Sequence, residues 1–166
     1  MLYQTIISEI PWNFVAVADD EKLYCLDLYP SNLAMSFNAV NGNNKILERC
    51  KEFLDCYFQG LSLPPIPPLA PATSAFAQAV RDAVLTIKPG ERITYKGLAE
   101  RMVNYCSNPT TICRALGHAL HLNPFLLMVP CHRVVKSSGS PGAYRAGADL
   151  KIFLLDFERR HPQLAE

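Results

Sequence analysis

Short apolar runs separated by polar breaks make up the first thirty residues of the chain. The segments 3–10, 12–18 and 22–28 are rich in β-branched and aromatic residues, and Pro11 and an acidic turn at 19–21 divide them. This pattern predicts three short strands of an antiparallel sheet. From 45 to 58, apolar residues recur every three or four positions, which predicts an amphipathic helix covering one face of that sheet. Its apolar positions are Ile46, Leu47, Cys50, Phe53, Leu54 and Tyr57.

The second half of the chain has helical periodicity. A helix is predicted to begin after Thr73 or Ser74, either of which can cap it, and to end at Pro89-Gly90. Further helices are predicted at about 96–103, 109–121 and 149–160, with a turn at 104–108. Two helices joined by a short turn form a helix-turn-helix, in which the second helix is the recognition element. The polar face of that helix carries Thr111, Arg114, His118 and His121.

Five prolines lie between residues 64 and 71. Proline fixes φ and blocks helix continuation, so this stretch is predicted to be an extended linker. The sequence therefore predicts an α+β protein with three parts. Residues 1–63 would form a small N-terminal scaffold domain with an antiparallel sheet and a covering helix, 64–71 the linker, and 72–166 a mostly helical C-terminal domain.

Composition favours a globular protein with no membrane partner. Of the 166 residues, 49% are apolar and 19% are charged. No apolar run reaches the roughly 18 residues of a membrane-spanning helix. The N-terminus also lacks the basic and apolar regions of a signal peptide. We therefore expect a cytoplasmic protein, or a nuclear one in a eukaryote.

Charge is divided unevenly between the two halves of the chain. Residues 1–70 carry four Lys and Arg against eight Asp and Glu, whereas residues 71–166 carry twelve against seven. A local excess of positive charge is typical of a surface that binds a polyanion. The distribution is weak support by itself, but it favours nucleic acid as the partner of the second half.

The cysteines do not form a recognisable metal site. They lie at 25, 50, 56, 106, 113 and 131 with no CxxC pair, and all four histidines are in the second half of the chain. Structural zinc sites need clustered Cys and His ligands, so neither a metal nor a cofactor is predicted. In a reducing compartment all six cysteines would remain thiols.

One cysteine lies in an unusual setting. Residues 127–135 form an apolar run, resembling a buried strand, that is interrupted by Pro130, Cys131, His132 and Arg133. A thiolate is a strong nucleophile, and a neighbouring imidazole or cation lowers its pKa toward the working pH. The simpler interpretation is a core thiol, because free cysteine is among the most buried residue types.

The wider sequence favours the reactive interpretation. The segment Pro-Cys-His-Arg-Val at 130–134 resembles the active-site signature of the O6-alkylguanine-DNA alkyltransferases, also called methylated-DNA–protein-cysteine methyltransferases. The resemblance extends over about residues 72–158, with the motifs in the same order. It includes Gly90 to Tyr95, Arg114 to Gly117, Asn123-Pro124, Ser137 to Gly139, Tyr144-Arg145 and Gly147.

This resemblance implies a fold and a reaction. The implied fold is a ribonuclease H-like N-terminal domain followed by a winged helix-turn-helix-like unit. The implied reaction is DNA repair by direct reversal, in which an alkyl group moves irreversibly from O6 of guanine, with O4 of thymine as a further candidate, to Cys131. Each protein molecule would act once, as a monomer on the minor groove of double-stranded DNA, after the damaged base rotates out of the helix.

The resemblance also implies catalytic roles for five residues. Cys131 would be the nucleophile, His132 its base acting through a water, and Glu158 the carboxylate that orients the imidazole. Tyr95 would donate a proton to the departing guanine. Asn123 would fix the turn that leads to the nucleophile.

Two further sets of residues follow from the same resemblance. Arg114 would fill the space left by the extruded base, on a helix whose small residues allow close approach to DNA. The implied DNA-binding residues are Arg114, Ala115, Gly117 and Thr94. The implied substrate pocket comprises Tyr95, Val134, Tyr144, Arg145 and Lys151, and Lys151 would also favour the thiolate of Cys131.

Two other classes of protein remain open. Alkyltransferase-like proteins share the architecture and bind lesions without reacting, because they have tryptophan in place of the cysteine. Cys131 argues against this alternative. A Cys/His hydrolase acting on small esters or peptides would also use a thiol and an imidazole, but no separate oxyanion-hole motif is recognisable.

Overall fold

The structure, a computed structural model, describes residues 1–9, 12–102, 105 and 109–166. Six α-helices and six short strands lie within these residues, which confirms the mixed α+β class. The predicted break at Pro11 and the predicted turn at 104–108, apart from Tyr105, lie outside the described part of the chain. None of the described helices is long and apolar enough to cross a membrane.

The chain divides into two compact units. The first unit contains Met1–Ala70, Pro124–Met128 and Gln163–Glu166, and the second contains Pro71–Asn123 and Val129–Pro162. The domain boundaries at 63 and 72, with 64–71 as a linker, stay a prediction. Backbone hydrogen bonds attach the proline-rich stretch to Leu23. The Leu23 N–H donates to the Pro68 carbonyl at 2.8 Å, and the Ala70 N–H donates to Leu23 at 2.7 Å.

The first unit is built on the predicted sheet. Strands β1 (Tyr3–Glu9), β2 (Trp12–Ala18) and β3 (Leu23–Leu28) pair antiparallel as expected. Helix α1 (Asn32–Met35) follows, and helix α2 (Lys45–Phe58) packs on β1 and β2. All six apolar positions predicted for α2 are buried, so the amphipathic pattern correctly identified its core face.

The sheet has one strand more than the three that the sequence predicts. A fourth strand, β4 (Val40–Asn41), pairs parallel to the start of β1. It lies in a polar stretch that has loop composition, and both of its side chains are exposed. Backbone hydrogen bonds attach this strand to β1: Val40 N–H donates to the Leu2 carbonyl at 3.1 Å and Gly42 N–H donates to the Gln4 carbonyl at 3.1 Å.

The second unit is mostly helical. Helices α3 (Ala75–Leu85), α4 (Tyr95–Arg101) and α5 (Pro109–His121) pack on one another, and α6 (Ala148–Arg160) follows later in the chain. Helix α3 begins at Ser74, whose hydroxyl accepts the Ala77 N–H. Helix α4 ends at Arg101, two residues before the predicted end, and Val103 is not described.

A short parallel pair of strands connects two distant parts of the second unit. Strand β5 (Ile93–Thr94) pairs with β6 (Val134–Val135), so that Thr94 lies beside Val135. Strand β5 immediately precedes α4, and β6 immediately follows the segment that carries Cys131. The pairing therefore holds the start of α4 next to the predicted nucleophile. A short 3-10 helix at Pro162–Ala165 follows α6.

Candidate active site

Cys131 begins a tight turn. Residues Cys131–Arg133 form a 3-10 helix, and strand structure resumes only at Val134, so the strand predicted across this stretch was wrong. Proline 130 has no N–H to donate to a strand, and its carbonyl accepts the Arg133 N–H at 3.0 Å, which closes the turn. From this turn His132 and Arg133 both reach Glu158, whereas Cys131 is bound by Asn123.

Asn123 holds the sulfur of Cys131 in place. Its side-chain amide donates to the Val129 carbonyl at 3.1 Å and to Cys131 Sγ at 3.2 Å. Burial raises the pKa of the Cys131 thiol, while the Asn123 hydrogen bond and the charges of Lys151 and Arg145 act in the opposite direction. Because the pKa of Cys131 is raised overall, the resting sulfur is a thiol that needs a base to become nucleophilic.

His132 and Glu158 form a buried pair beside this thiol. The two side chains are fully buried, and His132 Nε2 lies 2.7 Å from Glu158 Oε1. Burial lowers the pKa of His132, although the carboxylate opposes the effect. A neutral imidazole that donates its Nε2–H to a carboxylate has its lone pair on Nδ1. Nδ1 is buried and has no hydrogen-bond partner among the described residues.

Arg133 keeps Glu158 ionised. Its Nε donates to Oε2 at 3.0 Å and its Nη2 donates to Oε1 at 2.8 Å, while the Gly90 N–H donates to Oε2 at 3.0 Å. Burial alone would raise the pKa of Glu158, but the charges and hydrogen bonds of His132 and Arg133 outweigh it and hold that pKa well below its usual range. The Glu158–Arg133 pair is close to neutral overall, which leaves His132 able to accept a proton.

Lys151 is a second buried cation behind the cysteine. Its ammonium donates to the Val134 carbonyl at 2.7 Å and to the Ala143 carbonyl at 3.4 Å. Burial lowers the pKa of Lys151 to about 8, and the charge of Cys131 opposes that shift. Lys151 is therefore mostly charged at neutral pH, and its charge favours the thiolate.

A cavity of about 350 Å³, which we term the nucleophile cavity, gives access to Cys131. Its wall includes Gly117 on α5 and Tyr95 at the start of α4. The other lining residues are His118, Leu120, His121, Ala143, Tyr144 and Arg145. Burial raises the pKa of the Tyr95 phenol, with a further contribution from the charge of Cys131. Tyr95 therefore keeps its proton and can donate it to a group bound in this cavity.

A second, more open depression of about 570 Å³ adjoins the nucleophile cavity. Tyr95, Gly117 and Ala143 line both of them. The remaining residues of this basic depression are Thr94, Lys96, Cys113, Arg114, Lys136, Ser137 and Ser138. Its three cations and several hydroxyl groups suit a polyanion. The two depressions meet along α5, where Arg114 and Gly117 are one turn apart.

Comparison with protein families identifies the class. The family described as "6-O-methylguanine DNA methyltransferase, DNA binding domain" matches residues 75–160, which is more than half of the chain. The chain belongs to this family. The match includes Tyr95, α5, the Cys131 turn and Glu158, so family membership rests on the segment that forms the nucleophile cavity.

Other members of the methyltransferase family resemble the chain over most of its length. A methylated-DNA–protein-cysteine methyltransferase of Metallosphaera sedula is 38% identical over 144 residues, covering 86% of this chain and 83% of that protein. The one from Saccharolobus solfataricus is 34% identical and covers 89% and 90%. The O6-methylguanine methyltransferase structure from Mycobacterium tuberculosis has a TM-score of 0.82 at 25% identity, covering 97% of this chain and 94% of that one.

The structure brings together most of the residues that the resemblance to methyltransferases implied. Asn123 is hydrogen-bonded to Cys131, and the next residue, His132, is hydrogen-bonded to Glu158, while Tyr95 and Cys131 line the same cavity. Tyr144 and Arg145 also line the nucleophile cavity, whereas Val134 and Lys151 are buried outside its lining. Thr94, Arg114 and Gly117 line the basic depression. Ala115 is exposed on α5 and lines neither.

The sequence did not indicate that Arg133, Gly90 and the two histidines of the cavity, His118 and His121, belong to the site. Arg133 lies in an apolar run, and a guanidinium that becomes buried needs an anion as its partner. That requirement predicts an acidic partner for Arg133. Gly90 acts through its backbone N–H, for which the sequence offers no cue. For His118 and His121 the sequence predicts only a polar helix face.

Proposed function

We propose that this protein repairs O6-alkylguanine in double-stranded DNA by transferring the alkyl group irreversibly to Cys131. The observation that carries the proposal is a buried thiol inside a cavity, backed by a connected base and carboxylate. A merely structural cysteine needs neither the cavity nor the buried ionised pair. The same site would accept O4-alkylthymine if that base enters the cavity in a similar orientation.

The proposed reaction is a single displacement. His132 Nδ1 takes the Cys131 proton through a water, and the Glu158–Arg133 pair orients the imidazole and stabilises its charged form. The thiolate sulfur forms a bond to the alkyl carbon while the bond from that carbon to O6 breaks. The electron pair passes to guanine, and Tyr95 donates a proton to the ring at N3. The thioether that remains on Cys131 is stable, so each molecule acts once.

Access to the sulfur requires extrusion of the base. Cys131 is only 5% exposed, and O6 of a stacked guanine cannot reach a buried atom. We propose that α4 and α5, with β5 and β6, act as a winged helix-turn-helix-like unit on the minor groove. In this arrangement Arg114 occupies the vacated space in the duplex, and the first unit serves as a ribonuclease H-like scaffold. A monomer suffices for every step.

A transfer assay with labelled DNA tests this function. After incubation with duplex that carries labelled O6-methylguanine, about one methyl group per protein molecule should become covalently bound, with no further turnover. Repeated turnover would indicate a hydrolase-like or other catalytic activity. Binding without transfer would indicate a lesion-binding protein of the alkyltransferase-like class. Either of these two results would contradict the proposal.

Replacing Lys151 with methionine should slow transfer at neutral pH. The variant lacks the charge that stabilises the thiolate, so the midpoint of the pH–rate profile should move upward. A shift of one pKa unit lowers the thiolate fraction about tenfold at pH values below the midpoint. The rate of reaction with free O6-benzylguanine, measured from about pH 6 to 10, checks this expectation.

The matched control for this experiment is Lys88→Met. Lys88 is exposed and lies outside the site, so its loss should leave the profile unchanged. Below about pH 8 the wild-type protein has a charged Lys151, and above that pH its advantage over Lys151→Met should shrink. An advantage that grows with pH would contradict the assigned role.

Replacing Arg114 with alanine should slow repair of duplex DNA by at least about tenfold. The side chain lies in the basic depression, outside the nucleophile cavity, so reaction with free O6-benzylguanine should keep its rate. Loss of a group that fills the duplex raises the cost of base extrusion, which is a few kcal/mol. Arg159→Ala is the control, because Arg159 forms only an exposed ion pair with Asp156, and such pairs contribute little to stability. Equal slowing with both substrates would contradict the role of Arg114 in the duplex.

A further inference from the structure

Two histidines without a role in the proposed chemistry line the nucleophile cavity. His118 and His121 lie in the last turn of α5, three residues apart, so both project from one side of the helix. Both are exposed, whereas Cys131 in the same cavity is almost completely buried. The sulfur is therefore at the floor of the cavity, and the two imidazoles are at its mouth.

The geometry of an extruded nucleotide brings its backbone to this mouth. A guanine whose O6 substituent touches Cys131 Sγ must enter with the base at the floor. Its sugar, and the phosphates on either side, then remain toward the opening. The groups at the opening are consequently the ones that meet the DNA backbone of the damaged nucleotide itself.

The electrostatics of the mouth depend on the charge of these imidazoles. The C-terminal end of a helix carries partial negative charge and by itself repels a phosphate. A protonated imidazole offsets that charge and donates a strong hydrogen bond to phosphate oxygen. The other ionisable groups facing the cavity are Tyr95 on α4, Cys131 on the 3-10 turn, and Tyr144 and Arg145 before α6. No carboxylate is among these lining residues, so a charge gained by His118 or His121 is not neutralised there.

We propose that His118 and His121 bind a phosphate next to the extruded nucleotide, and that this contact strengthens as the pH falls toward 6. The inference rests on the proposed function, because it takes an alkylated nucleotide as the occupant of the cavity. Histidine is the side chain whose charge ordinarily changes between pH 5 and 8. The contact would therefore make DNA binding depend on pH without changing the chemistry at Cys131.

The salt dependence of binding tests the proposal directly. Binding of duplex with one O6-methylguanine is measured at several salt concentrations, at about pH 6 and about pH 8, in a Cys131→Ala background that cannot react. Affinity falls as salt rises, and each phosphate contact makes the slope of log affinity against log salt steeper by about 0.9. At the lower pH the slope of the Cys131→Ala parent protein should be steeper than that of the same protein with His118→Gln/His121→Gln, by about 1 to 2. At the higher pH the two slopes should agree.

Two variants serve as controls. Leu122→Gln changes an exposed residue that directly follows α5 and lines neither cavity, so it should keep the parent slope at both pH values. His121→Lys retains a positive charge throughout this range and should preserve a steep slope at the higher pH as well. Rescue by lysine distinguishes a charge contact from a purely structural role.

The outcomes separate this inference from the proposed function. Equal slopes for the parent and the double variant at the lower pH would overturn the inference. So would a loss of O6-benzylguanine reactivity in His118→Gln/His121→Gln with Cys131 intact, because the free base has no phosphate. A protein with the expected pH-dependent slope that transferred no alkyl group from either substrate would contradict only the proposed function.

Discussion

Replacing Cys131 with alanine is expected to abolish alkyl transfer while the protein still folds and binds duplex DNA. The variant has no sulfur to form the thioether, and no other described cysteine lies in the nucleophile cavity. Asn123 still donates to the Val129 carbonyl, so the turn before residue 131 keeps its main support. Transfer of labelled methyl groups, thermal unfolding and DNA binding by fluorescence anisotropy measure the three properties separately.

Cys56→Ala is the matched control for this change. Cys56 lies on α2 in the first unit and is partly buried, so its replacement tests for a general effect of losing a thiol. The control should transfer about one methyl group per protein, as the wild type does. Substantial methyl transfer by Cys131→Ala would mean that another residue is the acceptor.

Replacing Glu158 with glutamine is expected to destabilise the protein and to slow alkyl transfer. Glutamine keeps the shape of the side chain and removes its charge, which leaves Arg133 as a buried cation without its carboxylate. Breaking a buried ion pair in this way costs about 3–5 kcal/mol of unfolding free energy. Transfer should also slow by about 10²- to 10⁴-fold, because the imidazolium formed at His132 loses its stabilising charge.

Urea denaturation and single-turnover kinetics measure these two effects. The pKa of Glu158 is lowered by folding, so its stabilising contribution is present above the ordinary value of 4.5 and is lost as the pH falls below it. The difference in unfolding free energy between wild type and Glu158→Gln should therefore narrow in acid. A difference that widened as the pH fell would contradict the ion-pair assignment.

Two further variants separate stability from chemistry. Asp156→Asn removes an exposed carboxylate from the same helix and should change stability and rate little, because surface ion pairs contribute only about 0–1 kcal/mol. Glu158→Gln/Arg133→Met removes both buried charges and should regain part of the lost stability. Its transfer rate should stay low. Recovery of the rate together with stability would show that Glu158 acts only on the fold.

The elements that could be predicted from the sequence are those whose apolar residues recur with the spacing of the helix or strand they form. Helix α2 is one example, since its apolar positions follow helical spacing and all of them are buried. Strand β4 was not predictable, because it is two residues long, exposed, and defined by backbone hydrogen bonds to β1. The turn at Cys131 was mistaken for strand because its neighbours are apolar, although Pro130 already indicated an interruption.

The site was predictable as a set of residues but only partly as an arrangement. The motif around Cys131 gave the thiol and the imidazole, whereas the Arg133–Glu158 pair joins residues 25 positions apart in the sequence. Such a pairing depends on how α6 packs against the Cys131 turn, which local pattern does not determine. The same holds for His118 and His121, whose place at the cavity mouth follows from the position of α5.

Mapping the modified residue is the most direct test of Cys131 as the acceptor of the alkyl group. The wild-type protein is allowed to react to completion with excess duplex carrying O6-methylguanine, and its peptides are analysed by mass spectrometry. We expect one methyl group per molecule, located on the peptide that contains Cys131, with the other five cysteines unmodified. An unmodified Cys131 in folded protein that has bound this DNA, or methylation at a different cysteine, would contradict it.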